Sequence, residues 1–536
     1  MKNNRKSIVL RVLVLCASTL FFSSCTRDNN SPDDLNSISL AEQIDVNRIF
    51  AHLESFQRIA DDNSGHRCAG SSGHNASVGY IRDVLGGTNF ILNEQQFGCR
   101  YFEEITVPVV EMTAPTPETY EWWDEFRTAT FSGSGDVTAE IVFIDPVMPP
   151  GTENDTSTSG CETGDFTGVD LAGKIAVIQR GTCSHQVKAK NAEDNGAAAV
   201  LIFNEGTSGR TNVYSTRLTL GENVDIPVVI VSYEVGAELY NLVNSGQAVT
   251  VHVNVNARDE WTTTANMIAE TPGGNANRII VVGAHLDSVR EGPGINDNGS
   301  GCATLLELAR LMDEQGYDPV NKIVFAWWGA EEQGLLGSYF YINDLYENHP
   351  AQYQSVGMYL NLDMTASPNY IRGVCDSDGS DIPPDIGYIP PGASELEATI
   401  VNYFNSRSLP VSYISLTSAS DQYCFAMYGV PSSFLYAGAS GLKNQEQQDL
   451  FGGTVGQPYD SYYHTPLDNI ANINTSIMQE MAQATAYVIQ YYGDNRGSLF
   501  EGSRAAVRMS DMVPRVPLFV EKPDLKHKDR LFRVER

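Results

Sequence analysis

Positive charge is what this chain has least of: 35 lysines and arginines stand against 66 aspartates and glutamates in 536 residues, a formal net charge of −31. A surface of that sign repels phosphate polymers, and no basic helix or aromatic-basic patch overrides it, which excludes nucleic acid as a partner. Long apolar runs are missing too. The stretch 8–22 is too short, and too interrupted by residues such as Arg11, to span a membrane stably. No Gly-x-Ser-x-Gly elbow occurs, so a serine hydrolase has no support. Core-forming material is plentiful at 42% hydrophobic content, and the length exceeds one ordinary domain but fits about two or three.

Residues 1–25 read as an export signal. Lys2, Arg5 and Lys6 form a positive start, the apolar run follows, and Phe22-Ser23-Ser24-Cys25 puts small residues before a cysteine. This end resembles a bacterial lipoprotein cleavage box, which implies a lipid on Cys25 and a polar linker over 26–45 that holds the protein off the bilayer. The expected location is exported and membrane-anchored, in the periplasm or at the cell surface, with plain secretion as the alternative. Loss of Lys2, Arg5, Lys6 and Arg11 takes the mature charge to −35. An oxidising compartment permits disulfides. With Cys16 and Cys25 set aside, seven cysteines remain, an odd number that leaves at least one free. Cys302 lies in an apolar helical pattern and is the expected free thiol. Sequence proximity favours Cys68 with Cys99 and Cys161 with Cys183, although spacing alone does not fix connectivity.

From Val46 the chain reads as a helix, a glycine-rich loop (Ser64 to Gly73), a helix (Ala76 to Leu85) and a strand (Phe90 to Phe97), the N-terminal part of a first domain over 46–125. Over 126–255 the character changes to short β-branched strands, Ala139 to Asp145, Lys174 to Gln179, Ala198 to Phe203 and Pro227 to Ser232, with one helix from His185 to Asn195. Within this segment Cys161-Glu-Thr-Gly-Asp165-Phe166, Leu171-Ala-Gly-Lys174-Ile-Ala-Val-Ile-Gln-Arg180-Gly181-Thr-Cys183, Lys188, Asn191-Ala192 and the run from Gly196 to Asn204 are similar to the protease-associated (PA) domain. The resemblance implies a mostly β insertion beside an active site that gates or selects substrates and carries no chemistry. Gly168 to Lys174 has the spacing of a phosphate-binding loop, but Ile175 stands where the magnesium-binding Ser or Thr is required, so nucleotide binding is dismissed.

The segment 256–495 alternates strands (Arg278 to Ala284, Lys322 to Trp328, Ser355 to Leu362, Val411 to Ile414, Val430 to Tyr436) with helices (Gly301 to Asp313, Leu335 to Leu345, Ala393 to Ser406, Ser476 to Tyr492). That pattern predicts an α/β fold with a mainly parallel sheet covered on both faces, and functional side chains just beyond the carboxyl ends of its strands. The tail 496–536 is richer in Arg and Lys and matches no pattern.

Those strand ends carry His285-Leu-Asp287-Ser288, Asn296-Asp297-Asn298-Gly299-Ser300-Gly301, Gly329-Ala-Glu331-Glu332, Asn361-Leu-Asp363-Met364 and Tyr463-His464-Thr-Pro-Leu-Asp468. So many ionisable groups around one rim are tolerated only with a cation present. Imidazole and carboxylate donors without thiolate suit zinc, with manganese or cobalt as substitutes. Five ligands exceed the needs of one tetrahedral catalytic ion, whereas two Zn2+ ions sharing a carboxylate fit the count. The expected set is His285 and Asp363 on the first ion, Glu332 and His464 on the second, and Asp297 bridging across roughly 3.5 to 4 Å. Glu331 is left as general base, Asp287 as the partner of the other His285 ring N–H, and Tyr463 as a donor to the oxyanion. The other histidines, His52, His66, His74, His185, His252, His349 and His527, lack such context and read as surface or loop residues.

The five motifs, in this order and spacing, resemble the co-catalytic zinc aminopeptidases and their glutamate carboxypeptidase relatives, the clan MH zinc exopeptidases, from about Val46 to Tyr492. The resemblance implies a three-layer α/β/α sandwich, two zinc ions, the roles just given and a cis peptide bond after Asp297. Where family members often have Ser-Asp-His, this chain has Ser420-Asp421-Gln422; Asp421 is expected to support the site. The resemblance implies a peptide substrate. Removal of N-terminal residues competes with carboxypeptidase or dipeptidase action on the same metals; an α-carboxylate needs an Arg cluster, and Arg372 and Arg407 are scattered. Glutaminyl cyclisation would waste the second metal. A surface binding module built on a dead peptidase is disfavoured, because every ligand and the base are present. Oligomeric state is not legible.

Overall fold

Alternation of β-branched strands with amphipathic helices produces an eight-stranded sheet in the computed structural model, which describes residues 39–498 apart from 215, 217 and 219–223. The export signal, Cys25, the tether up to residue 38, His527 and the tail beyond 498 lie outside the described residues. The strand order is Ile91–Glu104, Ala257–Glu270, Asn321–Trp328, Asn275–His285, Val356–Asp363, Ser432–Tyr436, Gly373–Asp376 and Ser412–Ser415. The four strands from Asn321–Trp328 to Ser432–Tyr436 are parallel neighbours. Antiparallel pairs flank them on both sides.

The parallel strands read as apolar runs because both faces are covered. On one face Val281, Val324, Ala326 and Tyr359 pack with Tyr341, Ile342 and Leu345 of helix Leu336–Asn348 and with Phe425. On the other, helix Gly301–Glu314 lies against Asn275–His285, and Trp327 Nε1 donates to its Cys302 carbonyl at 3.1 Å. Helices Val46–Asp61 and Thr475–Gly493 complete that layer. The expected α/β/α sandwich is therefore the fold.

The second sheet has the order Glu118–Thr119, Val109–Ala114, Thr250–Val255, Gly135–Ile144, Ile175–Gln179, Ala199–Phe203, Val228–Val231 and Phe126–Thr128. Two of these strands precede residue 126, so the inserted sheet begins ahead of the boundary read from composition. A long ribbon of Ile91–Glu104 paired with Ala257–Glu270 leads into and out of it. The sequence hid the second strand of the ribbon because Asp259 and Glu260 break its apolar alternation. Asp259 is matched there by Arg100, whose Nε donates to Oδ1 at 2.6 Å.

Cys161 and Cys183 form a disulfide. The expected pair of Cys68 and Cys99 does not form: both are free and buried, as are Cys302, Cys375 and Cys424. Burial pushes the Cys68 thiol up to about 12, so it acts as a small core group. Three histidines also depart from expectation. His52, His66 and His74 are buried; His52 Nδ1 sits 2.7 Å from Tyr80 Oη, and His74 Nε2 is 3.0 Å from the Ala265 carbonyl.

The glycine-rich loop explains itself in space. Helix Ser72–Leu85 starts earlier than its apolar pattern indicates, and a Cβ on Gly73 would meet the His66 carbonyl at 2.2 Å. That close approach places Arg67, fully buried, beneath the segment that joins His285 to Asp297. Arg67 donates from Nε to Pro293 O at 2.9 Å, from Nη2 to Gly294 O at 2.6 Å and from Nη1 to Leu286 O, and its guanidinium stacks 5.1 Å from the Phe56 ring. One unsatisfied buried acceptor costs about 1–3 kcal/mol. Arg67→Met orphans three and is expected to lower the urea unfolding midpoint by more than one such loss. Arg67→Lys, which has no planar fork, is expected to recover only part of it. A midpoint unchanged in Arg67→Met would contradict this clamp.

Candidate metal centre

Two of the proposed ligands close strands, and the other three lie in turns or loops. His285 closes strand Asn275–His285, Asp363 closes Val356–Asp363, and Asp297 lies in the tight turn Ile295–Ser300 that opens helix Gly301–Glu314. The turn contains a cis Asp297–Asn298 bond. Asp468 fixes it, its carboxylate accepting from Asn296 N at 2.7 Å and Asp297 N at 3.0 Å. Asn296 Nδ2 donates in turn to Asp460 Oδ2 at 2.7 Å. Glu331 and Glu332 sit in the turn before helix Leu336–Asn348, not in its first turn. His464 has left-handed backbone, φ 57°, in the loop ahead of Asp468.

The side chains converge on a shared carboxylate. His285 Nε2 is 3.2 Å from Asp297 Oδ1 and 3.4 Å from Asp363 Oδ1. His464 Nε2 is 3.1 Å from Asp297 Oδ2 and 3.3 Å from Glu332 Oε2. Ligand atoms on a tetrahedral zinc with bonds of about 2.0 Å lie about 3.3 Å apart. The donor set therefore fits such ions. Ser420 Oγ donates to Asp363 Oδ2 at 2.6 Å, leaving Oδ1 toward the imidazole.

Asp287 stands differently from the expected contact. The His285 Nδ1–H meets the main-chain carbonyl of Asp287 at 3.0 Å, while the carboxylate is 3.9 Å away. That carboxylate accepts instead from Glu331 N at 3.0 Å and Glu332 N at 3.3 Å, so Asp287 anchors the turn carrying both glutamates. Burial raises its pKa to about 6. Gln422 is a framework residue: it is buried, bonds Asn361 Nδ2 at 3.1 Å and donates to Thr417 O at 2.9 Å. Tyr463 stacks on the His464 ring with centroids 3.8 Å apart. Burial and the carboxylates of Asp297 and Glu332 push its phenol up, keeping the proton on the oxygen.

The electrostatics show an excess of negative charge. Burial pulls His285 down, but Asp363, Glu331 and Asp297 outweigh it and hold the imidazole well above its ordinary range. His464 behaves likewise, through Glu332 and Asp297. Burial would raise Asp297, yet the two imidazoles hold it below its usual value. Glu331 and Glu332 are pushed up, first by burial. A cavity of about 340 Å3 opens from this cluster, and among the described residues lining it there is no lysine or arginine. Arg372 is turned away onto Glu480, and Arg407 pairs with Glu42 at 3.6 Å.

Sequence reading assigned no role to Arg67, Asp460 or Asp468. Asp468, four residues past His464 in the same motif, carried a signal; Asp460 carried none.

Residues 266–489 match the family described as Peptidase family M28, and residues 137–239 match the PA domain. An aminopeptidase of Pseudomonas aeruginosa is 39% identical over 458 residues, which cover 85% of this chain and 82% of that one. The chain belongs to peptidase family M28. Another relative, named probable lipoprotein aminopeptidase LpqL of Mycobacterium tuberculosis, is 32% identical over 465 residues, covering 86% of this chain and 87% of its own. The solved structure of BSAP, a zinc aminopeptidase from Bacillus subtilis, shares the fold with a TM-score of 0.59 at 23% identity, over 87% of this chain and 97% of that one.

Ligand binding to the folded state alone stabilises it by about 4 kcal/mol at a thousandfold excess over Kd. Chelation of this M28 peptidase is therefore expected to lower its thermal midpoint, and zinc to restore it. A midpoint indifferent to both would contradict a metal centre here.

Proposed function

We propose that this protein is a zinc-dependent aminopeptidase whose centre takes two ions, with His285 and Asp363 on one, Glu332 and His464 on the other, and Asp297 common to both. The observation that carries this reading is the division of Asp297: Oδ1 faces one imidazole at 3.2 Å and Oδ2 the other at 3.1 Å. When bound, zinc supplies Lewis acidity toward water and toward the scissile carbonyl. The chain's own residues do the rest. Glu331, buried and held by the Asp287 carboxylate through its main-chain N–H, takes a proton from the attacking water and delivers it to the departing amine. The protonated Tyr463 hydroxyl donates to the oxygen that gains charge. No lysine or arginine stands among the described residues lining the cavity to receive a C-terminal carboxylate, which favours aminopeptidase over carboxypeptidase action.

Turnover of leucine p-nitroanilide tests the reading. Glu331→Ala is expected to lower kcat by about 10²- to 10⁴-fold with zinc content unchanged. Full activity in that variant, or an active enzyme without metal, would contradict it.

The same proposal includes export and anchoring through a lipid on Cys25, supported by the small residues before that cysteine and by the naming of the mycobacterial relative as a lipoprotein. In bacterial cells fed radiolabelled palmitate, label is expected in the wild type and not in Cys25→Ala. Equal labelling of both, or of neither, would overturn the anchor.

A further inference from the structure

Two cavities meet at Glu331, Glu332, Ala419, Tyr463 and His464. One continues toward Thr130, Phe131 and Thr216 of the inserted domain. The other is the 340 Å3 cavity, which alone of the two also reaches His285, Asp297 and Asp363. If the scissile bond lies where they join, the residue with the free amine occupies the cavity richer in carboxylates, and the leaving peptide takes the other.

The 340 Å3 cavity has apolar walls from Met364, Ile414, Phe434 and Tyr436, and beyond the metal-centre acids it holds one more carboxylate, Asp385. That residue is fixed by its backbone: its N–H donates to Leu416 O and to Ser415 Oγ, both at 3.1 Å, and Ser415 Oγ donates to Pro383 O at 3.0 Å. Neither bond uses the Asp385 carboxylate. Among the described residues no lysine, arginine or histidine forms an ion pair with it. Asp385 is solvent-exposed. A cavity with apolar walls and an exposed carboxylate in its lining fits a long basic side chain, whose methylenes lie along the walls while the cationic head meets the carboxylate.

We propose that Asp385 makes this cavity a subsite that favours a basic first residue, lysine or arginine, over an uncharged side chain of similar length. The proposal rests on the aminopeptidase reading above. Asp385 touches the substrate side chain and none of the reacting atoms, so it sets specificity and takes no part in proton transfer.

The test compares kcat/KM for lysine and norleucine p-nitroanilides, which share an aliphatic stem and differ in the ammonium, using the zinc-loaded full chain. An exposed ion pair is worth a factor of about two to five. The lysine-to-norleucine ratio is expected to fall by that factor in Asp385→Asn, through KM more than kcat, and to be kept in Asp385→Glu. High salt is expected to shrink the wild-type ratio. A ratio unchanged in Asp385→Asn, or lowered equally in Asp385→Glu, overturns the subsite while leaving the aminopeptidase reading intact, because the enzyme still turns over norleucine anilide. Hydrolysis of neither anilide by the wild type overturns both.

Discussion

Carboxylates held next to one another out of water are the constraint around which this molecule is arranged. Asp297, Glu331, Glu332 and Asp363 gather at one rim of the sheet, and two imidazoles cannot neutralise four negative charges. Repulsion grows as the dielectric falls, and an uncompensated buried charge costs several kcal/mol. A divalent cation resolves the conflict, and the spacing of the donors matches the edges of a tetrahedron. The raised pKa values of the glutamates and the raised imidazoles are the same imbalance seen from its two sides.

The fold's task is to hold that cluster still. Parallel strands bring their carboxyl ends to one side, which is why His285 and Asp363 close neighbouring strands, and why the Glu331 turn follows the next strand along. Further hydrogen bonds then fix each segment of the cluster. Asp287 holds the glutamate turn, Asp468 the Asp297 turn, Ser420 the Asp363 carboxylate, and Arg67 the loop between His285 and Asp297. These supports come from distant parts of the chain, so the geometry of the centre is a property of the whole sandwich.

Much of this was legible in the sequence. The segments around His285, Glu331, Glu332 and Asp363 stand out because acids and a histidine follow apolar strands, and the Asp297 segment because it opens an apolar helix, a pattern that burial alone would forbid. The PA segment announced itself through β-branched strands between turn residues. What stayed hidden depends on partners far along the chain. Nothing local marks Arg67 as buried, because its three carbonyl acceptors come from 286–294. The strand Ala257–Glu270 is masked by charges that the facing strand neutralises, and His52 and His74 read as surface residues because their partners, Tyr80 and Ala265, cannot be foreseen from spacing. The thiols of Cys68 and Cys99 were paired by proximity in sequence, which carries no geometry.

The central claim, that Asp297 divides its two oxygens between two ions, is tested most directly by anomalous diffraction at the zinc edge from crystals of the zinc-loaded protein. The account predicts two peaks, one against His285 and Asp363 and one against Glu332 and His464, with Asp297 in contact with both. A single peak, or none within reach of Asp297, would contradict it.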